Sequence, residues 1–525
     1  MTEINTQNTY DETPYHSYPY AQSSPERLAT LGTLFGMNPP SIENAKVLEL
    51  GCAEGGNIIP HAVHYPKGKY VGVDLSKVQI EAGQKHIKAL GLKNIELKHC
   101  SITDIDESFG KFDYIVCHGV LSWVPDFVRE KIFEIVSKNL TENGIAYISY
   151  NTLPGWNMIR TIRDMMLYHS SSFPNPADKV SQSRALLQFV KESLEGSDTP
   201  YSKMMSQEAE LLSKQGDHYL RHDHLEEENK QYYFNEFMAS AMKNNMQYLS
   251  DCSLSSMYLG NMSASVVEKL KDINDIVRTE QYMDFITNRR FRSTLLCHSN
   301  IQLNRSLNND HAKKFALSFD IIPETPLKDV DLEAVDSLKF YFKGNKDNHI
   351  NAASPWLKAI LYTFCENRGY PMSFETVIKK ANTKFKANRT AQVEMDLLNN
   401  VMNLVMKGYL DISLTERSKD KIKLEKPALT KLALYQAQNT NNTWVTNVDH
   451  APVGLNLFDK FAVKYMDGKN TKDQILEQLV KETQDGKINL SKDEKKIEDP
   501  KQIKKELTTH LDETITRMAM QGVFE

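Results

Sequence analysis

The chain is 525 residues long, too long for one hydrophobic core, so several domains are expected. Apolar residues make up 40% and charged residues 25%, a balance that excludes a wholly disordered or fibrous protein. Lys and Arg number 63 against 68 Asp and Glu, and the net charge of -5 gives no overall electrostatic reason to bind nucleic acid or anionic membrane.

The six cysteines have no spacing that reads as a zinc site or disulfide framework. The N-terminus has no basic start followed by an apolar run, and no later stretch is apolar for long enough to span a bilayer. A cytoplasmic protein without membrane insertion is expected.

Lys46 to Leu50 is the first strand-like run, closed by a glycine turn from Gly51 to Gly56. Tyr70 to Asp74 is the second, followed by Ser76 as an N-cap, a helix to about Leu90, and Gly91 as its stop. Ile95 to Cys100 and Phe112 to Cys117 supply two more strands. Val128, Ile132, Ile135, Val136 and Leu140 mark one face of a helix that Glu142-Asn143-Gly144 is expected to end, and Ile145 to Tyr150 reads as a fifth strand. This alternation predicts an α/β fold with a parallel, doubly wound sheet, whose ligands sit at the carboxyl ends of the strands.

From Trp156 to about residue 285 the sequence is helical in character. Arg290 to His298 and Lys314 to Ile322 regain strand composition, with a polar turn around Asn308-Asn309-Asp310 between them, and are expected to form a hairpin completing the sheet. Trp356 to Asn367, a helix from Ser373, and a third lined by Leu397, Leu398, Val401, Leu404 and Val405 precede a strand-like Tyr409 to Leu414, an order compatible with a winged helix. Thr471-Lys472-Asp473-Gln474 is a capping-box pattern, and Lys501 to Gln521 is the last expected helix.

The chemistry is concentrated in Val47-Leu48-Glu49-Leu50-Gly51-Cys52-Ala53-Glu54-Gly55-Gly56-Asn57. Small residues in such a turn let the backbone lie against a ligand, and glycine adopts dihedrals that other residues avoid. Ala53 stands where dinucleotide-binding turns usually carry glycine, which weakens that reading. Asp74, ending the second strand, suits an acid that hydrogen-bonds both ribose hydroxyls of a nucleoside. Glu49 would repel a pyrophosphate but would welcome the amino group and sulfonium of S-adenosylmethionine.

The expected cofactor contacts are therefore Glu49, Gly51, Cys52, Ala53, Gly55, Asp74 and Leu75, with Ser101 toward the adenine amine, Ile102 over the ring and His118 at the fourth strand end. Tyr10 joins them from the aromatic leader. For transfer, Tyr15, Trp123 and Asn151 are the candidates. Aromatic faces can hold a cation, and the Asn151 side-chain oxygen could accept a hydrogen bond from an incoming amine. The leader tyrosines could instead simply pack, and Asn151 could merely cap a turn. His218, His222 and His224, with Asp223, suit an interdomain helix better than a zinc site, so no metal is expected.

The chain resembles class I methyltransferases. It resembles more closely the bacterial group with a methyltransferase regulatory domain that includes the rickettsial protein-lysine methyltransferases acting on outer membrane protein B. The likeness rests on Tyr10-Asp11-Glu12-Thr13-Pro14-Tyr15, Ser24-Pro25-Glu26-Arg27-Leu28-Ala29, the glycine turn, His118-Gly119-Val120-Leu121-Ser122-Trp123-Val124 and Tyr150-Asn151-Thr152-Leu153-Pro154-Gly155-Trp156. The pattern along the chain divides it into an expected Rossmann-like methyltransferase domain over 1–165, a helical middle or regulatory insertion over 166–285, the completing hairpin over 286–325, and a winged-helix-like docking domain over 326–525.

The resemblance implies methylation of lysines on outer membrane protein B before export, with S-adenosylmethionine as cofactor; a homodimer through the helical region is a separate expectation. The alternatives are a small-molecule methyltransferase, which a narrow buried pocket would favour, and a non-catalytic S-adenosylmethionine-binding scaffold, marked by tight binding without turnover.

Overall fold

The computed structural model describes residues 17–342, 345–385, 390–492 and 495–525. At its centre is a seven-stranded sheet built from β1 (Lys46–Leu50), β2 (Lys69–Asp74), β3 (Ile95–His99), β4 (Phe112–Cys117), β5 (Leu140–Asn151), β6 (Met246–Asp251) and β7 (Phe291–His298), in the order β3-β2-β1-β4-β5-β7-β6. The first five strands are parallel, while β7 runs antiparallel to both β5 and β6. Neighbouring residues along a strand fall into opposite cores: Val47, Val116 and Ile145 lie in one, and Leu48, Ile115 and Ala146 in the other. A sheet buried on both faces needs such continuous apolar runs, which is why these strands were visible as apolar blocks.

The helices begin where the capping chemistry places them. Ser24 caps α1 (Pro25–Leu34) through the Arg27 amide, with Pro25 at its first position. The short α2 (Ile59–His64) follows the glycine turn. Ser76 caps α3 (Lys77–Leu90), and Gly91 ends it in the left-handed conformation at φ 64°. The helix α4 (Asp126–Asn139) lies between β4 and β5.

Three expectations are corrected. Glu142-Asn143-Gly144 does not end a helix: the helix stops at Asn139, and those residues form an irregularity within β5, whose pairing jumps from Phe112↔Leu140 to Tyr114↔Ile145. Turn-forming residues here serve an extra loop inside a strand. Second, the two later strand-like segments do not pair with each other. Residues 316–318 and 321–323 join two separate three-stranded sheets, and the partner of β7 is β6, drawn from a stretch expected to be helical. Third, residues 326–525 do not share one core. The helices Pro355–Glu366, Phe374–Lys384 and Ala391–Met406 pack into the core that lies on one face of the central sheet, whereas most apolar residues after Leu429 gather around a core of their own that includes Met466, Leu479 and Leu511, with Leu432 reaching the sheet-side core.

The middle helices Trp156–Ser170, Pro176–Ser193 and Pro200–Ser213 enclose a smaller core of Ile162, Met166, Val180, Leu187, Met205 and Leu212. The chain then returns to the sheet through Phe234–Lys243, β6, Ile276–Thr287 and β7. Among the described residues no helix is long and apolar enough to cross a membrane.

Candidate active site

The carboxyl ends of β1, β2 and β4 converge where the sequence motifs lie. Gly51 sits at φ 72°, and a Cβ there would come within 2.4 Å of Val120 Cγ2, so a side chain could not be accommodated without moving the β4 loop. Ala53 also takes a left-handed conformation, φ 49°, which costs energy for a residue with a Cβ. That cost is offset locally, because the Ala53 amide donates to Asp74 Oδ2 at 2.8 Å and ties the first turn to the second strand. Asp74 Oδ1 accepts from the Ser76 amide, also at 2.8 Å.

Glu49 is buried, and burial is the main reason its carboxyl is pushed up to about 8. Its hydrogen bond with Asn57 opposes that rise and the charge of Asp74 adds to it. One oxygen, Oε1, accepts from Asn57 Nδ2 at 2.7 Å. The other, Oε2, is buried without a hydrogen-bond partner among the described residues. An orphaned buried acceptor is costly and calls for a donor, and the ammonium of a methionine moiety fits that requirement.

The remaining expected contacts divide in two. Gly55, at φ 84°, Leu75, 42% exposed, and Ser101 and Ile102 border the same strand ends. Ser101 caps a short turn by accepting from the Thr103 amide at 3.2 Å, and Ile102 is half-buried. Cys52 is different: its side chain is buried against Gly72 of β2, so only its backbone can face a ligand. Tyr10 and Tyr15 lie outside the described residues.

His118, at the end of β4, accepts or shares a proton with Tyr147 across 2.8 Å through Nδ1, and burial lowers its pKa to about 4, so the ring is neutral. Tyr20 stacks on it with ring centroids 3.8 Å apart. Nearby, Trp123 and Trp156 meet edge to face at 6.3 Å, and the Arg163 guanidinium lies 5.5 Å from the Trp123 ring. Asn151 is buried and does not cap a turn. Its backbone amide donates to Ser122 Oγ, its carbonyl accepts from the Tyr232 amide, and its side-chain Nδ2 has no partner among the described residues.

Two contributors lay outside the sequence expectations. Asn57 lies within the motif but is not recognisable there as the group that orients Glu49. His450 reaches the same asparagine from the C-terminal region. A cavity of about 690 Å³ opens between α1, α2 and the C-terminal half, bordered by Arg27, His61, His64, Asp411, Arg417 and His450. None of the glycine-turn residues, Trp123 or Asn151 lines it, so its size does not make it the place of the chemistry.

Comparison with known proteins agrees with this geometry. Residues 42–237 match a methyltransferase domain, residues 216–298 a predicted methyltransferase regulatory domain, and residues 425–523 the C-terminal winged helix domain of PKMT. PKMT2 from Rickettsia typhi, solved in complex with AdoHcy, superposes with a TM-score of 0.91 at 40% identity, covering 97% of this chain and 100% of that one. The chain belongs to the rickettsial PKMT family. Protein RP789 of Rickettsia prowazekii, itself uncharacterized, is 60% identical over 501 residues, 95% of this chain and 90% of that protein. A Synechocystis protein, sll1526, is 26% identical over 329 residues.

The chain is an S-adenosylmethionine-dependent methyltransferase, with the Rossmann-like sheet expected of that class. The winged helix of the family lies at 425–523, beyond the helices and strand at 356–414 that suggested it in the sequence.

Proposed function

We propose that this PKMT transfers methyl groups from S-adenosylmethionine to lysine side chains of a protein acceptor in the cytoplasm, and that the acceptor is outer membrane protein B. The observation carrying this reading is the likeness to PKMT2 along the whole chain, accessory regions included, where a small-molecule enzyme would need only the sheet.

The transfer corner is consistent with such chemistry. Methyl transfer from a sulfonium requires alignment and exclusion of water more than covalent assistance. A lysine ammonium, with an ordinary pKa of about 10.4, must lose its proton to act as a nucleophile. Trp123 and Trp156, edge to face beside the Arg163 guanidinium, offer aromatic faces that can hold a cation, while the positive sulfonium of the cofactor favours the neutral amine.

The test is labelled-methyl transfer to unmethylated recombinant fragments of outer membrane protein B, beside the same fragments with every lysine replaced. Label is expected on the lysine-bearing fragments alone. Equal label on the lysine-free fragments would overturn the assignment to lysine, and label on an unrelated lysine-bearing protein but not on these fragments would overturn the acceptor.

A further inference from the structure

We infer that His450, from the winged-helix domain, is a positioning residue of the cofactor site: it holds Asn57, which in turn orients the Glu49 carboxylate toward the methionine end of S-adenosylmethionine. The inference is independent of which acceptor is methylated.

The connection is a chain of short hydrogen bonds. His450 Nε2 lies 2.7 Å from Asn57 Oδ1, and Asn57 Nδ2 lies 2.7 Å from Glu49 Oε1. The direction of the first bond follows from the second shell of donors around the amide. The Tyr20 backbone N–H can only donate, and it does so to Asn57 Oδ1 at 2.9 Å, which makes that atom the oxygen and leaves Nδ2 to face Glu49. An oxygen there obliges His450 to donate, and so to carry its proton on Nε2. The Ser23 hydroxyl completes the set by accepting from Asn57 Nδ2 at 3.1 Å.

His450 is held for this task. It is buried and adopts φ 58°, a left-handed backbone uncommon for a non-glycine residue and maintained only when its surroundings over-determine it. Its ring stacks on His61 of α2 at 3.9 Å, and burial beside His61 and His64 keeps it neutral. Consequently Glu49 Oε1 is engaged and, among the described residues, Oε2 remains the oxygen without a partner. A domain far along the chain therefore completes a site whose ligand contacts come from the sheet.

The experiment is calorimetric titration of the full-length protein and its variants with AdoHcy. His450→Ala is expected to weaken binding about tenfold, the worth of one buried hydrogen bond in a polar network. His450→Gln, whose amide can still donate to Asn57, is expected to recover affinity to within about threefold of the parent. Tyr435→Phe serves as the comparison, because it removes a different contact between the same domain and the sheet domain, the 2.8 Å bond to His86 Nδ1, without touching Asn57. It is expected to bind as the parent does. Parental affinity in His450→Ala would overturn the inference. So would a His450→Gln variant as weak as His450→Ala, or a Tyr435→Phe variant weakened to the same degree, since either would reduce the effect to domain docking.

Discussion

Asp74→Ala is expected to weaken AdoHcy binding by about 1.5–3 kcal/mol, roughly 10- to 150-fold, measured by calorimetry. The carboxylate has two tasks. It accepts the Ala53 and Ser76 amides, one on each oxygen, and so holds the strained turn in place. The same carboxylate is the acceptor expected for the ribose hydroxyls. Removing the side chain withdraws the ribose acceptors and leaves the turn without its anchor. Asp74→Asn, which keeps one oxygen, is expected to fall between the parent and Asp74→Ala. Parental affinity in Asp74→Ala would remove this residue from the site.

The second large effect concerns the part of the sheet supplied after the helical insertion. Arg292 is fully buried and makes 2.8 Å bonds to both oxygens of Asp284 and to Glu280 Oε2, with Phe234 3.9 Å from its guanidinium. Tyr248 donates to the other oxygen of Glu280 at 3.2 Å. These groups fasten β7 and β6 to the helix Ile276–Thr287. Arg292→Met leaves the buried Glu280 carboxyl without its 2.8 Å cation and Asp284 held by Arg289 at 2.8 Å, a loss of about 3–5 kcal/mol, read as a melting temperature lower by roughly 10 °C.

The pH dependence has a definite sign. Burial pushes the Glu280 and Asp284 carboxyls above their ordinary values even with Arg292 beside them, and the variant raises them further. A carboxyl whose folded pKa is raised destabilises the fold above its unfolded pKa, and protonation relieves the cost. The defect should therefore be greatest at neutral pH and shrink as pH falls toward about 4, the unfolded carboxylate range. A melting temperature equal to the parent at neutral pH would contradict the structural role given to this cluster.

The cofactor end of the fold was legible because its strands are buried on both faces and its acids close them. Val47 to Asn57 and Tyr70 to Asp74 carry both signals in short stretches. β6 was not legible: Met246–Asp251 mixes polar and apolar residues between helices, and its place in the sheet depends on β7, far along the chain. Glu142-Asn143-Gly144 has the composition of a helix stop but serves a strand irregularity, a choice made by the pairing of β4 with β5. The role of Asn57 depends on atoms around it that no local pattern records. His450 lies 393 residues from its partner and follows no motif, so only the folded chain brings it to the cofactor turn. Trp123 was recognised as a candidate for the transfer site, but not the guanidinium of Arg163 beside it.

Glu49, buried with one oxygen unpartnered among the described residues, is the group expected to receive the amino group of the cofactor. The most direct test is AdoHcy titration at pH 6.5 in two buffers of different ionisation enthalpy, which counts protons exchanged on binding. With its carboxyl pushed up to about 8 in the free protein, Glu49 is protonated at that pH and must ionise to face an ammonium. Binding should release close to one proton, and affinity should rise nearly tenfold per pH unit until about 8. Glu49→Gln should release none. No proton release by the parent, with an affinity flat from pH 6 to 8, would contradict the account.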